Sequence, residues 1–143
     1  MLLCRRATLQ TFYIENMKKE TVKKLDCMSP QFLVSDLDQA IRFYTEELGF
    51  SLNFKYQDFY AGINCNGHSI HLKTGSVPES VRAFMRANEH LNITFGVLDI
   101  EEVYNEICRK NIDVIQPLRK MPYGKEFYIS DPDGNIIGFF WSE

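Results

Sequence analysis

The sequence predicts a single α+β domain in which one unit, a strand, a helix and three more strands, is built twice. Two amphipathic helical segments open on Asp36 and Asp99, 63 residues apart. Each is preceded by a short apolar strand and followed by three strand-like runs, so the repeat carries more weight than any single motif. The length of 143 residues and an apolar fraction of 45% suit one domain with a sizeable core.

Residues 1–27 show little periodicity and carry a basic patch of Lys18, Lys19, Lys23 and Lys24. Met17, followed by two lysines, offers an alternative start, so this stretch is set apart as an N-terminal extension. The domain is placed at 28–143, with modules over about 28–75 and 89–141. Met28 to Val34 reads as the first strand. Asp36 then caps a helix, with Gln39 as its capping-box partner. Leu37, Ile41, Tyr44 and Leu48 line one helical face, and Gly49 supplies the stop. Strands are expected over Phe50 to Tyr56, Phe59 to Asn64 and His68 to Lys73, the last two joined by the hairpin turn Asn66-Gly67.

Thr74 to Glu89 reads as a loop. His90 to Val97 reads as a strand, and Asp99 with Glu102 opens the second helix, whose inner face is Ile100, Val103 and Ile107. Asn111 is suited to the left-handed stop. Strands follow at Ile112 to Gln116, Lys125 to Ser130 and Ile136 to Trp141, the last two linked through Asp131-Pro132-Asp133-Gly134.

A net charge of −3 and a pI near 5.6 provide no basic field for nucleic acid. No apolar run approaches the roughly 20 residues of a membrane span. Cys4, Cys27, Cys65 and Cys108 form no Cys-x-x-Cys pair, and Met-Leu-Leu-Cys-Arg-Arg lacks the order of a signal peptide. A reduced, cytoplasmic protein is expected, with its thiols acting as buried small hydrophobes.

Three segments in order, FLVSDLDQAIRFYTEELGF (Phe32 to Phe50), LNITFGVLDIEEVYNEICRKNI (Leu91 to Ile112) and FYISDPDGNIIGFFW (Phe127 to Trp141), resemble the glyoxalase/bleomycin-resistance superfamily, also called vicinal oxygen chelate proteins. The resemblance implies paired βαβββ modules whose mixed sheets curl around a cup-shaped cavity, with helices outside. Strand alternation agrees. Phe32, Val34, Ile70, Leu72, Ile93, Phe95, Val97, Ile137, Phe139 and Trp141 share the helix side. Ser29, Gln31, Leu33, Ser69, His71, Lys73, Asn92, Thr94, Gly96, Ile136, Gly138 and Phe140 share the cup side, where Lys73 is the one fixed charge.

Enzymes of that superfamily hold a divalent metal in the cup through His, Glu or Gln. Carried over by resemblance, the ligand positions fall on Ser29, His71, Asn92 and Gly138, and one imidazole does not make such a centre. No metal and no other cofactor is therefore expected. The resemblance then points to the branch that binds and sequesters ligands, as a homodimer that completes each pocket from both chains, with a small-molecule ligand and neither nucleic acid nor membrane as partner. The expected ligand-binding residues are Gln31, Tyr56, Phe59, His71, Lys73, Asn92, Thr94, Tyr123 and Phe140, with Tyr60 and Phe127 as further rings for a flat groove. Two alternatives stay open: a metal-dependent lyase or dioxygenase with displaced ligands, and a metal-free enzyme with His71 as general base.

Overall fold

The computed structural model describes residues 22–142. Met17, Cys4 and most of the N-terminal extension lie outside them. Strand β1 (Gln31–Val34) leads to Asp36, whose extended backbone and side-chain Oδ1, accepting from Gln39 N at 2.9 Å, cap helix α1 (Leu37–Arg42). The helix widens into a π-helical turn at Phe43–Glu47, closed by Leu48 N donating to Phe43 O at 3.1 Å. Strands β2 (Ser51–Tyr56), β3 (Tyr60–Cys65) and β4 (His68–Thr74) follow. Asn66 and Gly67 both take positive φ, 50° and 85°, as the expected two-residue hairpin requires.

The stretch read as a loop contains helix α2 (Glu79–Ala87), which corrects that expectation. The helix buries no side chain. Its Val81 and Phe84 are exposed, and ion pairs hold it instead: Arg86 on Asp113 at 2.6 Å and Arg82 near Asp133 at 3.7 Å. Val81, Phe84 and Met85 do recur at helical spacing, but the stripe finds no core to cover, and Val81 and Phe84 stay exposed.

The second module repeats the first: β5 (Ile93–Gly96), α3 (Ile100–Arg109), β6 (Val114–Met121), β7 (Gly124–Ser130) and β8 (Ile136–Ser142). Asp99 caps α3 by accepting from Glu102 N at 2.9 Å, and Asn111 ends it at φ 54°. Strand β6 runs beyond its expected end at Gln116. The register slips between Gln116 and Arg119, so Pro117 sits in a bulge on an edge strand, where its missing N–H breaks no ladder.

Two four-stranded mixed sheets result, ordered β1-β4-β3-β2 and β5-β8-β7-β6, with the first pair in each order parallel. Phe32, Val34, Ile63, Ile70 and Leu72 of the first sheet and Phe127, Ile129, Ile137 and Phe139 of the second form the core with Leu37, Ala40 and Tyr44 of the first module and Ile100 and Ile107 of α3. Rings bridge the modules in sequence, Tyr44 to Phe50 to Phe95 to Phe139 to Phe127, at centroid spacings of 4.8 to 6.4 Å.

The Asp131-Pro132-Asp133-Gly134-Asn135 turn fastens the modules together. Tyr44 Oη donates to Asp131 Oδ2 at 2.9 Å, Ser35 N to Asp133 Oδ1 at 2.7 Å, and Asn135 Nδ2 to Leu33 O at 3.0 Å. The thiols depart from expectation: Cys27 and Cys108 are exposed and Cys65 is half-buried, all free. Cys108 follows the buried Ile107 on α3, so it falls on the helix's solvent side. Among the described residues, no helix is long and apolar enough to cross a membrane.

Candidate functional site

The sides of the two sheets turned away from the helices form two walls of different chemistry. On the first sheet, pairing register puts Gln31 and Leu33 of β1, His71 and Lys73 of β4, Tyr60 and Gly62 of β3 and Phe54 and Tyr56 of β2 on one face. This wall is aromatic and half-open. Tyr56 is 59% exposed, Phe59 46% and Phe54 37%. Tyr56 meets Phe59 edge-on at 5.5 Å, and Phe54 meets His71 the same way at 5.6 Å. Phe54 lies flat enough on the sheet only because residue 62 is glycine: a Cβ there would come within 2.3 Å of the ring. Tyr60 Oη sits 2.7 Å from His71 Nδ1.

On the second sheet the same side carries Thr94 and Gly96 of β5, Gly138 and Phe140 of β8, Glu126 and Tyr128 of β7 and Arg119 of β6. This wall is charged. Glu126, only 5% exposed, receives Arg119 Nε at 2.9 Å, Arg119 Nη2 at 2.7 Å, and the hydroxyls of Tyr128 and Tyr123 at 2.6 Å each. The Arg119 guanidinium also holds Glu89 through two bonds of 3.1 and 2.7 Å and lies 5.2 Å from the Tyr128 ring centre. Burial alone would raise the Glu126 carboxyl, but its tyrosine and arginine donors outweigh that and hold it below its ordinary value. Burial, and then the Glu126 charge, push the Tyr128 phenol up to about 12. Glu89 and Glu126 hold the Arg119 guanidinium well above its usual range, so it stays charged. Lys73 is therefore not the one fixed charge on this side of the sheets.

Of the expected residues, Tyr56, Phe59, His71 and Lys73 come together on the first wall, and Thr94, Tyr123 and Phe140 lie on the second. Gln31 and Asn92 instead line a cavity of about 200 Å³ under α2, with Leu33, Arg82, Met85 and Asn135. Asn92 is already engaged: its Oδ1 accepts from Ile136 N at 2.7 Å. Phe127 is not a groove residue. It is fully buried on the helix side and stacks on Phe139 at 4.8 Å, because its strand parity is opposite to that of Glu126 and Tyr128. Sequence reasoning missed Phe54, Glu89, Arg119, Glu126 and Tyr128. The alternation of Glu126 and Tyr128 along β7 was the available signal.

The family's metal positions do not fit a metal here. Ser29 supplies a hydroxyl, Asn92 is committed to the backbone, and Gly138 has no side chain. A Cβ at Gly138 would lie 2.8 Å from Leu91 and 3.0 Å from Thr94, so the second sheet leaves no room for a carboxylate at that point. Among the described residues no three His, Cys, Asp or Glu side chains converge. Larger cavities of about 590 Å³ lie elsewhere: one beside α2, lined by Arg82, Arg86 and Lys110, and one between the modules, lined by Phe50, Ile93, Phe95 and Val103.

Residues 27–139 match the Glyoxalase/Bleomycin resistance protein/Dioxygenase superfamily. A bleomycin resistance protein of Geobacillus stearothermophilus is 28% identical over 127 aligned positions, covering 78% of this chain and 92% of the relative. The bleomycin-binding protein of bleomycin-producing Streptomyces verticillus, solved with copper(II)-bleomycin, superposes with a TM-score of 0.65 at 21% identity, over 84% of this chain and 98% of that one. A lactoylglutathione lyase from Agrobacterium tumefaciens superposes with a TM-score of 0.62 at 20% identity, over 81% and 92%. Proteins named as a binder and as an enzyme thus match the fold almost equally, so the fold alone does not choose between the two activities.

Proposed function

The chain belongs to the Glyoxalase/Bleomycin resistance protein/Dioxygenase superfamily, and from that premise we propose that it binds and sequesters an aromatic or amphipathic small molecule without metal chemistry. The observation that carries this reading is the half-open aromatic wall of Phe54, Tyr56, Phe59, Tyr60 and His71. Large rings left exposed together on one sheet face lose free energy to water until something apolar covers them. Its relatives named for bleomycin resistance and bleomycin binding support the same class of function. The donor set at the family's ligand positions speaks against an enolising or oxygenating metal centre.

Expected contributors to binding are Tyr56, Phe59, His71 and Lys73 on one wall, Thr94, Tyr123 and Phe140 on the other, and Gln31 and Asn92 in the small cavity under α2. Mass spectrometry of small molecules released from the purified protein identifies the compound. Calorimetry with that compound tests the site: His71→Ala and Tyr56→Ala should each weaken binding by about 1–3 kcal/mol. If neither changes affinity, the ligand lies elsewhere.

A two-fold homodimer belongs to the same reading. Each chain presents open walls and two outer edge strands, β2 and β6, and a second copy laid across them would close both pockets. Light scattering at micromolar concentration should give twice the chain mass; a monomer mass contradicts it. A reduced cytoplasmic setting fits the three free thiols of the described residues.

A further inference from the structure

The Tyr60–His71 pair fixes more than the position of a ring. His71 Nδ1 lies 2.7 Å from Tyr60 Oη, while its Nε2 makes no hydrogen bond among the described residues and is not a buried unsatisfied atom. That nitrogen is therefore reached by solvent from the side of the first sheet that carries Phe54 and Tyr60. Only two arrangements of one proton are available to a neutral ring: the phenol donates to a bare Nδ1, leaving Nε2–H outward, or Nδ1–H donates to the phenol oxygen, leaving a bare Nε2 outward. A phenol is the more acidic donor of the two, and an imidazole nitrogen is the more basic acceptor, so the first arrangement gives the stronger bond. The Tyr60 hydroxyl has no other acceptor among the hydrogen bonds of the described residues, and Phe54, packed edge-on at 5.6 Å, limits rotation of the imidazole out of this geometry.

We propose that Tyr60 locks His71 as an Nε2–H donor, and that the cup thereby selects flat aromatic compounds carrying a neutral hydrogen-bond acceptor, such as a ring ketone, amide or quinone-type carbonyl. This rests on the cup being the ligand site. Flanking rings at Phe54, Tyr56 and Phe59 accept the aromatic plane, and the single outward N–H sets its orientation. An acceptor-free hydrocarbon of the same outline covers the rings equally but leaves the imidazole N–H without a partner once water is expelled.

Two measurements separate the parts. Nitrogen-15 spectra of histidine-labelled protein, with His71 assigned by the signals lost in His71→Gln, should show a bare Nδ1 and a protonated Nε2 in the wild type and a mixed state in Tyr60→Phe. A His71 protonated on Nδ1 overturns the proposal. The probes are 2-acetylnaphthalene and 2-ethylnaphthalene, alike in outline and differing in one carbonyl, titrated by chemical-shift perturbation. The ketone should bind about tenfold tighter; the preference should vanish in His71→Ala, which has no donor, and fall only by the lost tautomer fraction, about twofold, in Tyr60→Phe. Equal affinity for both probes in the wild type overturns the selectivity. If neither probe shifts the cup resonances, the reading of the cup as a ligand site falls, and with it the ligand class, whereas the tautomer stands or falls on the nitrogen spectra alone.

Discussion

Asp131→Ala should lower the thermal midpoint by about 10 °C, a stability loss of about 3–4 kcal/mol. Its carboxylate is 4% exposed and accepts four bonds: Oδ1 from the backbone N of Asp133 and Asn135, Oδ2 from Tyr44 Oη and Asn135 Nδ2. Burial pushes this carboxyl up, and the four donors hold it partly back. Truncation would strand those donors in a site that also ties the second module to the π-helical turn of the first. Tyr44→Phe removes one bond of the four and should cost about 1 kcal/mol. Asp131→Asn keeps the volume but turns an NH2 group toward existing donors, so it should fall nearer to the alanine variant than to the tyrosine one. Scanning calorimetry of the three variants decides the matter. A loss below about 1 kcal/mol for Asp131→Ala would mean that the turn merely covers the junction.

That fastening explains why the repeat was legible while its assembly was not. Asp36 and Asp99 mark their helices because a capping carboxylate must stand at a fixed distance from the N–H it satisfies. Asn66-Gly67 is equally local, since both residues take a backbone conformation that few others tolerate. Helix α2 left no such mark: its holding interactions are Arg82 and Arg86 on aspartates far along the chain. The extension of β6 through Arg119 was hidden for a related reason, because Pro117 reads as a strand breaker unless the strand is known to be an edge.

The two walls were unequally readable as well. Alternation from the hairpin turn is enough to place His71, but Tyr56 joins its face only because the connection Gln57-Asp58-Phe59 is one residue longer than the sequence reading allowed and pairs Tyr56 with Tyr60. The charged wall depends on contacts between residues separated by 7 and 30 positions, Arg119 with Glu126 and with Glu89. Glu89 reaches Arg119 from the end of α2, at φ 51°, a turn that no periodicity indicates. The aromatic character of Phe127 suggests a ligand contact, but strand parity decides its side, and parity puts it against Phe139.

Arg119→Ala should cost about 2–4 kcal/mol, the second large effect expected in this chain. The loss comes from the partner left behind: Glu126 is almost wholly buried and would have only two tyrosine hydroxyls to offset the desolvation of its charge. Glu89→Ala should cost less than about 1 kcal/mol, since that carboxylate is well exposed and returns to water when freed. The distinguishing variant removes both members of the buried pair. Arg119→Met with Glu126→Leu should be more stable than Arg119→Ala alone, because the double change leaves only the exposed Glu89 unpaired, strands no buried charge and fills the space with apolar atoms. Urea unfolding of the wild type and these three variants measures the differences. A double variant as unstable as Arg119→Ala would place the loss in packing of the Arg119 stem over Tyr128 instead of in the stranded carboxylate. With Arg119 bound to Glu89 and Glu126, the second wall's charges are engaged with one another.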